Sequence, residues 1–418
     1  MNDGQVIRPR AVLLGADTPE STWPVEESLD ELARLADTAG IEVVGRVTQK
    51  LRTPQPLSYL GKGKIRDLAA DKSEMGFDTV IADDELAPAQ QRYLEGVLNV
   101  QILDRTAVIL HIFAQHAHSR EGRLQVELAQ YRYRLPRLAG HGTELSRLGG
   151  GINTRGPGET KLESDRRRIR HRIAELSREI EVVRRQRSLH RRQRHQAGIP
   201  VVALAGYTNA GKSTLMNALT DADVLSTDRL FATLDPTTRR LELPNHQTVL
   251  LTDTVGFIQK LPTDLVSAFR ATLEEIQEAD VILHVLDVSD PELVREAEAV
   301  EDELEALGVA SKPRITALNK SDLIPVTRLP LLRKRFESPI AVSAVTGNGL
   351  EALLTQIERR VAADFIPVRV QIPYGATDLV SLFRSRGMVE REDHRPDGTV
   401  IVGKLPAGLL HSFQPFIA

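Results

Sequence analysis

The chain has 418 residues, 41% hydrophobic and 27% charged, which is enough for several globular domains. It has no cysteine, so disulfides, thiolate metal sites and cysteine nucleophiles are excluded. The net charge of −3 excludes a simple polycation.

Residues 1–120 alternate short apolar runs with amphipathic stretches. AVLLGAD, IEVVGRV, DTVIADD and VQILDR read as buried strands, with SLDELARLADTAG and AQQRYLEGVL as helices between them. That alternation predicts a small parallel sheet covered by helices. Gly61-Lys62-Gly63-Lys64 reads as a solvated helix start, and His111, His116 and His118 as structural residues without a carboxylate at metal-ligand spacing.

Residues 121–197 change period. Leu124, Leu128, Tyr131, Leu135 and Leu138 follow heptad spacing, as do Ile169, Ile173, Leu176, Ile180 and Val183. Two such helices predict an antiparallel hairpin. Pro136 is expected to end or kink the first. The second is expected to open at the capping box Thr160-Lys161-Leu162-Glu163 and to run to about Gln196, roughly 50 Å at about 1.5 Å per residue. From Asp165 to Gln196 there are 12 arginines against 4 acids, among them Arg166, Arg167, Arg168 and Arg170. Such a segment on an otherwise acidic chain points to an anionic partner such as RNA. The hairpin loop, 139–160, carries seven glycines together with Arg147 and Arg155. A tip of this kind can enter a narrow RNA cavity and fold on contact.

Residues 198–364 hold the clearest chemistry. The apolar IPVVALA precedes Gly206-Tyr207-Thr208-Asn209-Ala210-Gly211-Lys212-Ser213-Thr214 and a helical stretch. This is a phosphate loop in its required strand–loop–helix context: backbone N–H groups and the helix N-terminus face phosphate, Lys212 reaches the β- and γ-phosphates, and Ser213 ligates Mg²⁺. Asp253-Thr254-Val255-Gly256 follows a second apolar strand. There Asp253 would hold Mg²⁺ through water and the Gly256 N–H would sense the γ-phosphate. Asn319-Lys320-Ser321-Asp322 ends a third strand. The Asp322 carboxylate can accept from guanine N1–H and its 2-amino group, and adenine offers neither donor. Asn319 would tie loops together, Lys320 would cover one face of the base, and a backbone N–H at Ser343-Ala344-Val345 would donate to guanine O6. The expected nucleotide is therefore GTP. Phe231-Ala232-Thr233-Leu234-Asp235 begins a loop in which one threonine should complete the Mg²⁺ shell. Residue chemistry alone leaves Thr233, Thr237 and Thr238 open. Residues 365–418 read as a small α+β module: a strand, a helix and a hairpin about Arg395-Pro396-Asp397-Gly398.

GYTNAGKST, FATLDPTTRR and DTVGFI, with SYLGKGK, LQVELAQYRYRLPRL and GGGINTRGPGETKLESDRRR outside the nucleotide region, resemble the HflX-type GTPases of the Obg–HflX group over essentially the whole length. The resemblance implies a multidomain α/β fold: an N-terminal parallel α/β domain, a helical hairpin, a P-loop GTPase domain and a small C-terminal α+β domain. It implies Thr233 as the Mg²⁺-sensing threonine, with Lys212, Thr233 and Gly256 as the catalytic set. It implies binding to the large (50S) ribosomal subunit and its rRNA, and the splitting or rescue of stalled or hibernating ribosomes. It also implies a hydrophobic residue, here Phe257, where Ras-like proteins carry a water-holding glutamine, and hence slow unassisted turnover that ribosomes stimulate. Asn209 matches, in part, the asparagine of K⁺-dependent GTPases, so K⁺ is a candidate cofactor beside Mg²⁺. A monomer in the cytoplasm, without membrane insertion and in part associated with membranes, is expected. The competing expectations are an ATP-using RNA-remodelling protein acting through the N-terminal domain, and a non-enzymatic RNA-binding factor with a static nucleotide.

Overall fold

A computed structural model describes residues 8–138, 157–196, 198–220, 230–231, 233–260, 270–336 and 338–417. They group into two compact units. The first is Met1–Glu181 with Lys260–Phe269, and the second is Val182–Gln259 with Arg270–Ala418.

The first unit contains strands β1 (Arg10–Asp17), β2 (Glu42–Lys50), β3 (Thr79–Ala82) and β4 (Gln101–Asp104). All pair parallel, in the order β2-β1-β3-β4. Helices Val25–Thr38, Lys62–Ala70, Pro88–Leu98 and Arg105–His116 connect or flank them. Val12, Leu14, Val80, Ile65 and Leu94 share one core with Tyr59. The continuous apolar run in β1 exists because helices cover both faces of a parallel sheet. Arg105 is fully buried and donates to Glu31 Oε2 and Asp83 Oδ1, each at 2.6 Å. Burial opposes its charge, yet the two carboxylates hold its pKa above the ordinary arginine value. Burial likewise opposes the Asp83 charge, but Arg105 and then Lys260 keep that carboxyl below its usual range. Lys260 also donates to Asp84 Oδ1 at 2.6 Å.

The hairpin helices are Arg120–Arg137 and Pro157–Gln196. Ser119 Oγ caps the first, accepting from the Gly122 N–H at 2.8 Å. Pro136 sits in its last turn and the helix ends one residue later. Leu124, Leu128 and Leu176 bury one another, edged by Tyr131, Ile173 and Ile180. The second helix begins three residues before the expected capping box, so Thr160 lies within its first turn. Pro157 is compatible with a helix start because the first N–H groups have no partner there anyway.

The second unit contains β5 (Val201–Ala205), β6 (Thr237–Glu242), β7 (Thr248–Asp253), β8 (Val281–Asp287), β9 (Arg314–Asn319) and β10 (Ile340–Ala341). Their order is β10-β9-β8-β5-β7-β6, parallel except for β6. Val202, Leu204, Leu251, Leu283 and Val285 pack against Leu215 of helix Lys212–Thr220 and Leu353 of helix Leu350–Val361. The loops after β5, β7, β9 and β10 leave the carboxyl ends of parallel strands, which is where such sheets place ligands. β11 (Ile366–Ile372), β12 (Met388–Arg395) and β13 (Gly398–Leu405) form an antiparallel sheet in the order β11-β13-β12. Helix Thr377–Arg386 packs on it through Phe383, whose ring meets Phe413 edge-on at 5.5 Å. Among the described residues no helix is long and apolar enough to cross a membrane.

Candidate nucleotide site

A cavity of about 440 Å³ lies at the ends of these loops. Thr208, Asn209, Gly211, Lys212, Ser213 and Thr214 line it from the loop after β5. Phe231, Thr233, Thr254 and Gly256 contribute a second wall. Asn319, Lys320, Asp322, Ala344 and Val345 contribute a third. Its size suits a small cofactor.

The loop after β5 wraps around Lys212. The Lys212 ammonium is buried and donates to the carbonyls of Tyr207 at 2.8 Å and Gly206 at 3.1 Å. Burial pushes its pKa down to about 8, against the opposing pull of Asp253 and Glu296. Gly211 has φ +86°, and a Cβ there would lie 2.4 Å from Asn319 Nδ2. Only glycine meets both conditions. A Cβ at Gly256 would lie 2.9 Å from Lys212 Nζ and from the Thr208 Cα, so this backbone meets the phosphate loop without space for a side chain.

Ser213, Thr233 and Asp253 form a triangle. Ser213 Oγ donates to Asp253 Oδ2 at 2.7 Å, Thr233 Oγ1 donates to the same oxygen at 2.8 Å, and the two hydroxyls are 2.8 Å apart. Asp253 is 1% exposed, and its Oδ1 is buried without a hydrogen-bond partner. Two hydroxyls and a carboxylate with an unsatisfied oxygen are the hard, oxygen-only donor set that Mg²⁺ takes. Of the other two threonines, Thr238 Oγ1 pairs with Thr252 Oγ1 at 3.0 Å and Thr237 pairs with Asp253 in the β6–β7 ladder.

Asn319 joins the remaining loops. Its Nδ2 donates to the Ala210 carbonyl at 2.9 Å, and its Oδ1 accepts from the Ala344 N–H at 3.2 Å. Lys320 adopts φ +58° and its ammonium pairs with Asp287 Oδ2 at 2.7 Å, which holds its stem along the cavity wall. Ser343 faces inward rather than into the cavity, accepting from the Thr346 N–H at 3.1 Å. The Ser321 N–H is bonded to the Val342 carbonyl at 3.1 Å.

Several expected residues act on the cavity only through others. Gly206, Tyr207 and Ala210 supply the carbonyls just described. Thr254 does line the cavity, but its hydroxyl goes to the Leu204 carbonyl at 2.6 Å. Leu234 and Val255 are buried and Asp235 is half-buried, and none of the three lines the cavity. Ala232, Arg147 and Arg155 lie outside the described residues. In the long helix, Arg168 pairs with Asp165 at 3.7 Å and Arg170 with Glu163 at 3.5 Å; Arg167, Arg168 and Arg170 are exposed and Arg166 is half-buried.

Sequence reasoning missed three features. Leu323 lines the cavity beside Asp322, and its only signal is an apolar residue directly after the polar loop. Asp287 anchors Lys320, and nothing in the sequence pairs them. The third is backbone: the Thr208 N–H donates to the Phe257 carbonyl at 2.8 Å and the Phe257 N–H to the Gly206 carbonyl at 3.1 Å. Phe257 is 4% exposed and strapped to the phosphate loop.

Comparison with known proteins agrees with this geometry. Residues 26–114 match the family described as GTP-binding GTPase N-terminal, 116–194 the GTP-binding GTPase Middle Region, 201–320 the 50S ribosome-binding GTPase family and 332–405 the HflX C-terminal domain. The GTPase HflX of Caldanaerobacter subterraneus subsp. tengcongensis is 47% identical over 411 residues, covering 98% of this chain and 94% of the relative.

The chain belongs to the HflX GTPase family.

The GTPase HflX of Escherichia coli (strain K12) is 40% identical over 376 residues, covering 90% of this chain and 88% of the relative. A GTP-binding protein from Sulfolobus solfataricus, solved in complex with GDP, is 25% identical over 84% of this chain and 98% of that one, with a TM-score of 0.44. As an HflX-family protein the chain binds GTP and hydrolyses it, with a P-loop GTPase domain inside a multidomain α/β fold.

Proposed function

We propose that this GTPase works on the ribosome: it binds the large (50S) subunit as a monomer and couples GTP hydrolysis to splitting or rescue of stalled or hibernating ribosomes. The observation that carries this reading is the match of residues 201–320 to the 50S ribosome-binding GTPase family. The 40-residue helix Pro157–Gln196, with its exposed arginines, supports a contact with rRNA phosphates.

In this reading Lys212 counters charge on the β- and γ-phosphates, and the Gly256 N–H meets the γ-phosphate. Asp322 accepts from guanine, Asn319 locks the base loops to the phosphate loop, and Lys320 covers the base. Ser213, Thr233 and Asp253 would hold Mg²⁺, which supplies Lewis-acid neutralisation of phosphate charge. Thr233 joins that set only while its loop is ordered, so nucleotide state becomes loop order, and loop order becomes ribosome affinity. Phe257 offers no group that can orient water. Unassisted turnover is therefore slow, on the order of 10⁻⁴ to 10⁻² s⁻¹, and the ribosome completes the site. Asn209 lines the cavity at φ +63° and is the residue on which K⁺ dependence would rest.

Steady-state GTP hydrolysis with and without 50S subunits tests the reading, with K⁺ exchanged for Na⁺ in a parallel arm. A rise of about a hundredfold with 50S is expected. Tight GTP binding with no rise would sink ribosome activation, and equal rates in both cations would remove K⁺.

A further inference from the structure

The second unit holds a second cavity, of about 630 Å³, that shares no lining residue with the nucleotide cavity. It meets β9 at its first residue, Arg314, whereas the guanine loop follows the last, Asn319. His284 of β8 forms part of its floor and is 2% exposed. His284 Nδ1 lies 3.4 Å from Glu301 Oε1, and Arg314 pairs with the other oxygen of Glu301. Burial first of all keeps His284 from charging, while hydrogen bonds from His284 and Arg314 hold Glu301 ionised with a pKa of about 2. His284 Nε2 and Arg314 Nε are both buried without a hydrogen-bond partner among the described residues. Buried polar atoms of this kind call for a partner, and both lie on residues that line the cavity.

The rim supplies the recognition chemistry. Arg335 and Arg360 are exposed and line it, and among the described residues neither is ion-paired. Glu298 and Asp302, from helix Leu293–Ala306, are exposed and line it too. Guanidinium forks match phosphate oxygens two at a time. Carboxylates at the same rim accept from hydroxyls and repel a chain of further phosphates. We propose that this cavity binds a small phosphomonoester bearing hydroxyl groups, with its phosphate on Arg335 and Arg360 and its hydroxyls on Glu298 and Asp302. The volume admits a ligand of that size. The recessed floor and the carboxylates disfavour a nucleic-acid backbone.

The test is calorimetry on the full-length GDP-loaded chain at fixed ionic strength, with ribose 5-phosphate, ribose and inorganic phosphate as probes. Ribose 5-phosphate should bind saturably with a Kd below about 1 mM. Ribose should be silent and inorganic phosphate weaker. The double variant Arg335→Ala/Arg360→Ala should weaken the ester at least about tenfold and leave GDP affinity unchanged. Asp302→Asn should weaken the ester while leaving inorganic phosphate as it was. The proposal fails if the ester gives no saturable heat, if the double variant binds it equally well, or if inorganic phosphate binds as tightly. It also fails if the double variant loses affinity for a single-stranded RNA oligomer while the ester stays silent. GTP turnover on 50S subunits is read separately, so neither result can stand in for the other.

Discussion

Thr233 Oγ1 donates to Asp253 Oδ2 at 2.8 Å, which closes a three-oxygen cluster with Ser213 across 40 residues of chain. The bond ties the Thr233 loop to the β7 terminus through a hydroxyl. Removing that hydroxyl would take away one of the three oxygens proposed to hold Mg²⁺ and leave the phosphate loop intact. Thr233→Ala should lower 50S-stimulated turnover by about a hundredfold or more, with GDP affinity within about threefold. Single-turnover hydrolysis and GDP titration check this. Wild-type turnover in the variant would remove Thr233 from the site.

Lys212 gives a pH dependence with a definite sign. Its pKa falls from the ordinary 10.5 to about 8 because the ammonium is buried. The protonated form is disfavoured in the folded chain, so this group destabilises the fold below about pH 8, and stability rises as pH climbs from there towards 10.5. Triphosphate binding restores the charge. Binding should therefore take up a proton at pH 9, with little uptake at pH 7, and affinity should decline above pH 8. Calorimetry in two buffers of different ionisation heat measures the uptake. A buffer-independent heat at pH 9 would contradict the burial argument.

Asn319 makes two hydrogen bonds, to the Ala210 carbonyl and from the Ala344 N–H, and is 1% exposed. Each is a bond between two of the loops that wall the cavity. Asn319→Ala would leave both backbone groups unpaired at about 1–3 kcal/mol each. We expect GDP and GTP affinity to drop together by at least about tenfold, alongside a lower Tm. A selective loss of GTP alone would show that the residue answers to the γ-phosphate instead.

Much of this site was legible because its motifs sit at strand ends, where period and turn chemistry can be read locally. Most strands of the two larger sheets are apolar runs bounded by loop residues, and the C-terminal hairpin follows its Pro-Asp-Gly turn, whereas β6, the polar Thr237–Glu242, reads as loop in the sequence. The choice among Thr233, Thr237 and Thr238 was not legible from residue chemistry, because all three carry the same hydroxyl. Chain path separates them: Thr237 and Thr238 enter β6, and Thr233 does not. Arg105 with Glu31 and Asp83, and Lys320 with Asp287, pair across 22 to 74 residues or across strands, and no local pattern announces them. The helix start at Pro157 differs from the capping-box expectation because proline at a first turn is as good a start as a capping side chain.

Asp322 lines the cavity, and in the proposed reading it carries the base preference. Asp322→Asn replaces an acceptor with a donor against guanine N1–H and the 2-amino group. A base with a carbonyl in place of that amino group restores the match. GTP affinity should fall by about a hundredfold or more, and xanthosine triphosphate should bind better than GTP. Equal loss of both nucleotides would mean that Asp322 shapes the loop rather than reads the base.

Phe257 tests whether the slow unassisted turnover proposed above can be raised by one substitution. Its side chain is buried, and its N–H and C=O are both committed to the phosphate loop. A glutamine there inherits the same backbone straps and the same inward direction. Its amide would be buried without partners rather than presented to water beside the γ-phosphate. Phe257→Gln should therefore lose about 2–4 kcal/mol of stability and leave unassisted turnover within about threefold of wild type. Thermal unfolding and steady-state hydrolysis measure the two effects. A large rate gain in the variant would show that the missing glutamine alone limits the reaction, and that the ribosome need only hold the loops still.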